Sequence, residues 1–191
     1  MVLPVIGYGH PVLRQEAEFI KSDYPQLKDL IENMWDTMYA AKGVGLAAPQ
    51  IGLPIRLFLV DTEQVFDEDE NENEKGICKV FINAEIIEEE GDFWAYEEGC
   101  LSIPEVRAKV DRPEKVLIRY QDENFNTFTE EYEGVNARVI QHEYDHIEGI
   151  LFTDLLKPLK KKLIKRKLNK IKLGEVRPDY PMKFFQVKSG L

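Results

Sequence analysis

Gln141-His142-Glu143-Tyr144-Asp145-His146 places two imidazoles four residues apart, with a carboxylate directly after the first. On a helix, residues i and i+4 share a face, so His142 and His146 can hold one metal ion between them. Glu143 is then near enough to move protons for a water activated at that ion. Two of the chain's three histidines fall in this stretch. An amphipathic helix with solvated or core histidines is the plainer alternative, but it does not require two histidines and a glutamate in the His-Glu-x-x-His order. Outward from the motif, Val135 and Val139 continue the face of His142 and His146 as an apolar stripe. Gly134 and Asn136 introduce this helix, and Gly149 is placed to end it.

A chain of 191 residues supports one well-buried core, and we read residues 1–191 as a single domain. Hydrophobic residues make up 43% and charged residues 31%, and no apolar run approaches bilayer-spanning length, so membrane insertion is not expected. Met1-Val2-Leu3-Pro4-Val5-Ile6 lacks the features of a signal peptide, and a cytoplasmic location is expected. In a reducing compartment, Cys78 and Cys100 are read as thiols or metal ligands rather than a disulfide. The net charge of −10 argues against broad nucleic-acid binding. It is unevenly spread: residues 157–172 hold nine basic side chains and no acidic one, leaving −19 on the rest.

In chain order, Pro11 disfavours helix at His10, which is given no catalytic role. Leu27, Leu30, Ile31, Met34 and Met38 have helical spacing and predict a helix over about 25–42, capped by Asp23. Gly43-Val44-Gly45-Leu46-Ala47-Ala48-Pro49-Gln50 follows, with Gly43 ending the helix and Gly45 allowing close approach of a backbone or ligand. Gln50 is an amide at the end of a small apolar segment, where it should find a partner. Strands are expected at 55–60, 79–87, 93–96, 106–110, 115–120 and 127–132, with Asp122-Glu123-Asn124 as a hairpin turn. Residues 67–74 are a run of acids and asparagines, read as a mobile solvated loop rather than a calcium site. Residues 155–173 predict a basic helix capped by Asp154, with Leu155, Leu159, Leu163, Leu168 and Ile171 as its core stripe.

Two histidines leave a catalytic metal short of its usual third protein ligand. No His-x-x-Gly-x-x-His extension is present, and Glu148 lies off the helical face. Cys100 is the better candidate, a soft thiolate donor in a glycine-flanked segment, whereas Cys78 in an apolar stretch is expected to pack.

Three segments, residues 43–50, Glu98-Gly99-Cys100-Leu101-Ser102-Ile103-Pro104 and 141–146, resemble in order and separation the signature segments of the peptide deformylases. The resemblance runs over nearly the whole chain. It implies an α+β fold, with antiparallel sheets packed around the central histidine helix, an N-terminal helix and a C-terminal basic helix. It implies a metal-dependent hydrolase removing the formyl group from formyl-methionine of nascent polypeptides, with Cys100, His142 and His146 as ligands. Glu143 is then the general acid/base, and the Gln50 amide with the Leu101 N–H forms the oxyanion site. Hydroxide generated on the ion would attack the formyl carbonyl, since a divalent metal lowers the pKa of water from about 15.7 toward about 7.

The resemblance further implies one divalent ion, Fe2+ in the cell, with Zn2+, Ni2+ or Co2+ able to substitute. It places an extended peptide beside Gly45 and Gly99, and the methionine side chain in a pocket lined by Val44, Val135, Arg138 and Val139. Arg138 departs from the apolar residue of some members, and its guanidinium is expected to reach solvent. Two readings of the basic helix stand, a solvated face and a transient contact with the ribosome. The chain is expected to act as a monomer. A small peptidase built on the same helix, and an inactive ribosome-associated module, are the competing readings.

Overall fold

The computed structural model describes residues 1–66 and 75–185. The acidic run at 67–74 lies outside the described residues. In chain order the strands and helices are β1 (Val5–Ile6), α1 (Leu27–Ala40), β2 (Gly45–Ala47), β3 (Leu57–Asp61), β4 (Cys78–Cys100), β5 (Ile103–Gln121), β6 (Thr127–Glu133), α2 (Gly134–Ile147), α3 (Pro158–Lys172) and β7 (Met182–Lys183). Strands β2 to β6 pair in sequence order as one antiparallel sheet, while β1 and β7 form a separate parallel pair. The α+β architecture around the histidine helix is as expected, except that the small second sheet is parallel.

The continuous apolar run of β3 is explained by burial on both faces. Phe58 and Val60 pack toward Ala137, Ile140 and Ile147 of α2. Leu57 and Leu59 point the other way, toward Ile31, Met34 and Met38 of α1. Alternation along one strand thus separates two cores. Helix α1 begins later than its capping signal predicts: residues 21–24 form their own turn, Tyr24 N–H to Lys21 O at 3.0 Å, and Gln26 enters the helix with φ 54° and no side-chain cap.

The expected strands at 79–87 and 93–96 are one strand, β4, which pairs along its length with β5 through several register shifts. The shift between Glu90 and Phe93 accommodates Gly91 at φ 86°, and bulges of this kind bend a long ribbon without ending it. Leu101 and Ser102 form the hairpin turn, so Cys100 sits at its tip. Cys78, expected to pack, is exposed at the first position of β4 opposite Asp61.

Helix α3 also departs from its expected register. Its buried residues are Ile164 and Ile171, which join Val106, Ala108 and Val110 of β5, with Leu168 partly buried beside them. Leu155, Leu159 and Leu163 are exposed, the last two by about 70%. The sequence holds two apolar rows on different sides of this helix, and the hairpin covers the isoleucine row. Asp154 does not cap α3: its carboxylate accepts the Leu151 N–H at 2.9 Å and pairs with Arg14, and α3 opens instead on Pro158.

Candidate active site and metal centre

Helix α2 is buried nearly all round, and it carries His142, Glu143 and His146 into the space between the sheet and the β4–β5 hairpin. The hairpin tip brings Cys100 to meet them. Its Sγ lies 3.2 Å from His146 Nε2, and one donor atom from each of Cys100, His142 and His146 falls within 4.8 Å of the others. The two imidazoles stand 5.1 Å apart at 81°.

Glu98 orients this set. It lies two residues before Cys100 on an alternating strand, so both face the helix. Its Oε2 is 2.9 Å from His142 Nδ1, which leaves the other ring nitrogen as the donor toward Cys100. Glu98 also accepts from Arg112 Nε at 2.7 Å and Nη2 at 3.1 Å, and from Arg138 Nη1 at 2.9 Å. Arg112 Nη1 donates to Asp145 Oδ2 at 2.7 Å. Two carboxylates and two guanidiniums therefore balance in a buried network, the condition under which such charges are tolerated.

The electrostatics follow from burial and these partners. Burial pushes Glu98 upward, but hydrogen bonds and charge from His142 and Arg112 outweigh it and hold the carboxyl well below the ordinary range. Burial works against charge on both imidazoles. On His142 it is overcome by Cys100 and Glu98, and the pKa rises well above the usual value. On His146 burial prevails, reinforced by repulsion from His142, and the pKa falls well below it. Cys100 and Glu98 thus favour positive charge at His142, while His146 beside it stays neutral. Burial lifts Glu143 to about 7, with Glu98 adding to the rise and His142 opposing it. A carboxyl near neutrality suits proton transfer in both directions.

Glu143 Oε2 and His146 Nδ1 are buried and have no hydrogen-bond partner among the described residues. The thiolate and imidazole donors fit a catalytic ion, with three protein ligands and room left for water or substrate. The Gln50 Oε1 accepts the Ala47 N–H at 2.8 Å, which turns Nε2 toward Cys100 Sγ at 3.5 Å and Ser102 Oγ at 3.4 Å. The contact to Ser102 is long for an N–H···O hydrogen bond, so this amide retains capacity for an oxygen in the site.

A cavity of about 670 Å³ opens onto this cluster, within the range for small-ligand sites. Val44, Gly45, Gly99, Val135, Arg138 and Val139 all line it, as do Gln50, Cys100, Leu101, His142 and Glu143. One expectation is corrected. The Arg138 guanidinium does not reach solvent; the residue is 2% exposed and donates to Glu98, to Val110 O at 2.9 Å and to Trp94 O at 2.7 Å, with its guanidinium over the Trp94 ring. The anion at Glu98 and these two carbonyls hold it inside. Gly45 is glycine for a reason other than peptide approach alone: a Cβ there would lie 2.7 Å from Glu143 Cγ and 2.8 Å from Cδ.

Sequence reading missed the roles of Glu98, Arg112 and Asp145. Glu98 carried a signal, its two-residue spacing from Cys100. Arg112 carried none, because its approach to Glu98 depends on the bulged register of the hairpin.

The family model for polypeptide deformylase matches residues 2–162. A peptide deformylase of Christiangramia forsetii is 57% identical to this chain, the alignment covering 100% of both, and one of Flavobacterium psychrophilum is 56% identical over 98% of this chain and 100% of the relative. Among solved structures, a peptide deformylase from Legionella pneumophila superposes with a TM-score of 0.78 at 39% identity, covering 93% of this chain and 100% of that one.

Proposed function

The chain belongs to the polypeptide deformylase family, and from that premise we propose which of its residues perform the reaction. It is a metal-dependent hydrolase that removes the N-terminal formyl group of nascent polypeptides and releases formate. In our assignment Cys100, His142 and His146 hold the metal, Glu143 is the general acid/base, and Gln50 Nε2 with the Leu101 N–H stabilises the oxyanion. The observation that carries it is the convergence of one thiol and two imidazoles beside a buried carboxyl with an unpartnered oxygen.

The ion, when bound, supplies Lewis acidity toward water and the formyl oxygen. The chain's own groups do the rest. Glu143 takes a proton from the attacking water and returns it to the nitrogen of the leaving amine as the formyl C–N bond breaks. The Gln50 amide, held by the Ala47 N–H, and the Leu101 N–H face the oxygen on which charge develops; such donors are worth about 3 kcal/mol each. Val44, Val135 and Val139 form the apolar wall for the methionine side chain, with the Arg138 stem completing it. At Gly99 the nearest atoms that a Cβ would meet among the described residues are those of Arg107, at an ordinary 3.5 Å, so these contacts do not demand glycine there. Close approach of the peptide backbone does.

We assign Fe2+ as the cellular ion. Zinc binds such donors more tightly by the usual affinity order, so the metal found after purification reports availability. The single domain, monomeric action and cytoplasmic location are part of the same reading: all proposed ligands come from one chain, and a thiolate ligand requires a reducing compartment. Among the described residues no helix is long and apolar enough to cross a membrane. The basic helix is assigned a transient ribosome contact, supported by its run of lysines and arginine on an otherwise acidic chain. If a chain ending at Pro158 retains salt-sensitive ribosome binding, that contact is elsewhere.

The deciding experiment is Glu143→Ala, measured for metal content and for formate release from formyl-Met-Ala-Ser after anaerobic purification. Metal should be retained and turnover should fall about 10²- to 10⁴-fold, the usual contribution of an acid/base group. Unchanged turnover with metal in place would remove Glu143 from the mechanism.

A further inference from the structure

The segment after α3 enters the active-site cavity, although it lies beyond the part of the chain matched by the family model. Arg177, Pro178, Asp179 and Tyr180 line that cavity together with Gly43–Gly45 and the hairpin tip. Immediately afterwards β7 pairs with β1, Val5 N–H donating to Pro181 O and Gly7 N–H to Lys183 O, both at 2.9 Å. The two terminal segments are therefore locked together beside the site.

Each of them donates one hydrogen bond to the turn at the hairpin tip. Tyr8 N–H donates to Ser102 O at 2.8 Å, and the Tyr180 hydroxyl donates to Leu101 O at 2.8 Å. Tyr180 is partly buried, so its bond is shielded from competing water. Leu101 is the residue whose N–H is assigned to the oxyanion, and Cys100 before it is a proposed ligand. A two-residue turn has few bonds of its own with which to fix both peptide planes, and a misplacement of about 1 Å at a reacting centre costs about 10²-fold in rate.

We propose that Tyr180 is a positioning residue for deformylation: by holding the Leu101 carbonyl it pins the Leu101–Ser102 peptide plane and, through the Leu101 Cα, limits the rotation of the Cys100–Leu101 plane that carries the oxyanion N–H, while its ring closes one wall of the cleft. The inference rests on the assignment of Leu101 made above. Because the bond acts on a donor used in the transition state, its loss should appear in kcat more than in KM.

The test is Tyr180→Phe, which keeps the ring and removes the hydroxyl, compared with the unaltered enzyme at matched metal content. With formyl-Met-Ala-Ser, kcat should fall about three- to tenfold, the range for one lost hydrogen bond, with KM within about twofold. Tyr180→Ala should lower kcat similarly and also raise KM, through loss of the wall. An unchanged kcat in Tyr180→Phe, or a loss explained fully by a lower active fraction, overturns the proposal. Absence of formate release from the unaltered, metal-loaded enzyme overturns instead the functional reading beneath it.

Discussion

A Cβ placed on Gly45 would fall 2.7 Å from Glu143 Cγ and 2.8 Å from Cδ, inside any tolerable contact. Glu143 is 4% exposed and borders the cavity, so Gly45→Ala should push the carboxyl out of its place in the site. Formate release should fall about 10²-fold, as for other misplacements at a reacting centre, whereas overpacking should cost only about 1–3 kcal/mol of stability. Turnover and a urea titration on the same metal-matched sample separate the two effects; a variant that unfolds early yet turns over normally when folded would contradict this placement. The sequence marks this residue for close approach of a backbone or ligand, and the structure adds the Glu143 side chain as a group that already lies against it. Chemistry-bearing residue types are legible because few patterns demand them. What fills the space beside a glycine depends on a contact ninety-eight positions away, which no local pattern encodes.

Secondary structure was legible wherever one face of an element meets one core, as in α1 and α2, and misread where two apolar rows share one helix. In α3 half of the expected stripe packs, Ile171 with the partly buried Leu168, joined by Ile164 under the hairpin, whereas Leu155, Leu159 and Leu163 stay exposed. Ile171→Ala should therefore cost about 2–5 kcal/mol, the range for a buried aliphatic truncation, and Leu163→Ala should stay within about 0.5 kcal/mol. Chemical denaturation of both variants checks this, Leu163 being the position at which the expected and observed faces of the helix differ. The β5–β6 edge supplies a pH effect of definite sign. Burial raises the Glu130 pKa, but hydrogen bonds from Lys79, Tyr120 and Tyr132 outweigh it, and the net shift is downward. A carboxyl depressed in the folded state contributes stability above its unfolded pKa and loses it as pH falls through the folded value. Stability of the unaltered chain should thus drop on acidification below the ordinary glutamate range, and Glu130→Gln should make that drop shallower while lowering stability at neutral pH. Denaturation midpoints at neutral and acidic pH measure both slopes.

Across the molecule, the proposed ligands join two elements far apart in sequence, Cys100 on the hairpin tip and the histidines on α2, so a bound ion cross-links sheet to helix. The order of the three signature segments made this assembly readable, because each is assigned one part of the same proposed reaction. The supports were not readable: Arg112 and Arg138 come from a bulged strand and the pocket wall, and they meet at Glu98 only in the folded chain. That network bears on metal removal. A site preformed by four balanced charges does not need the ion to fold, unlike small domains whose core is the metal itself. Chelation should therefore leave the chain folded but less stable. At a free-metal concentration about a hundredfold above Kd, the ion contributes about 2.7 kcal/mol, equivalent in a chain of this size to about 5–10 °C of melting temperature. Apo and reloaded samples compared by calorimetry should differ by that amount, with far-ultraviolet dichroism unchanged at room temperature. Collapse of the dichroism on chelation would mean that the ion, and not the Glu98 network, holds the hairpin against α2.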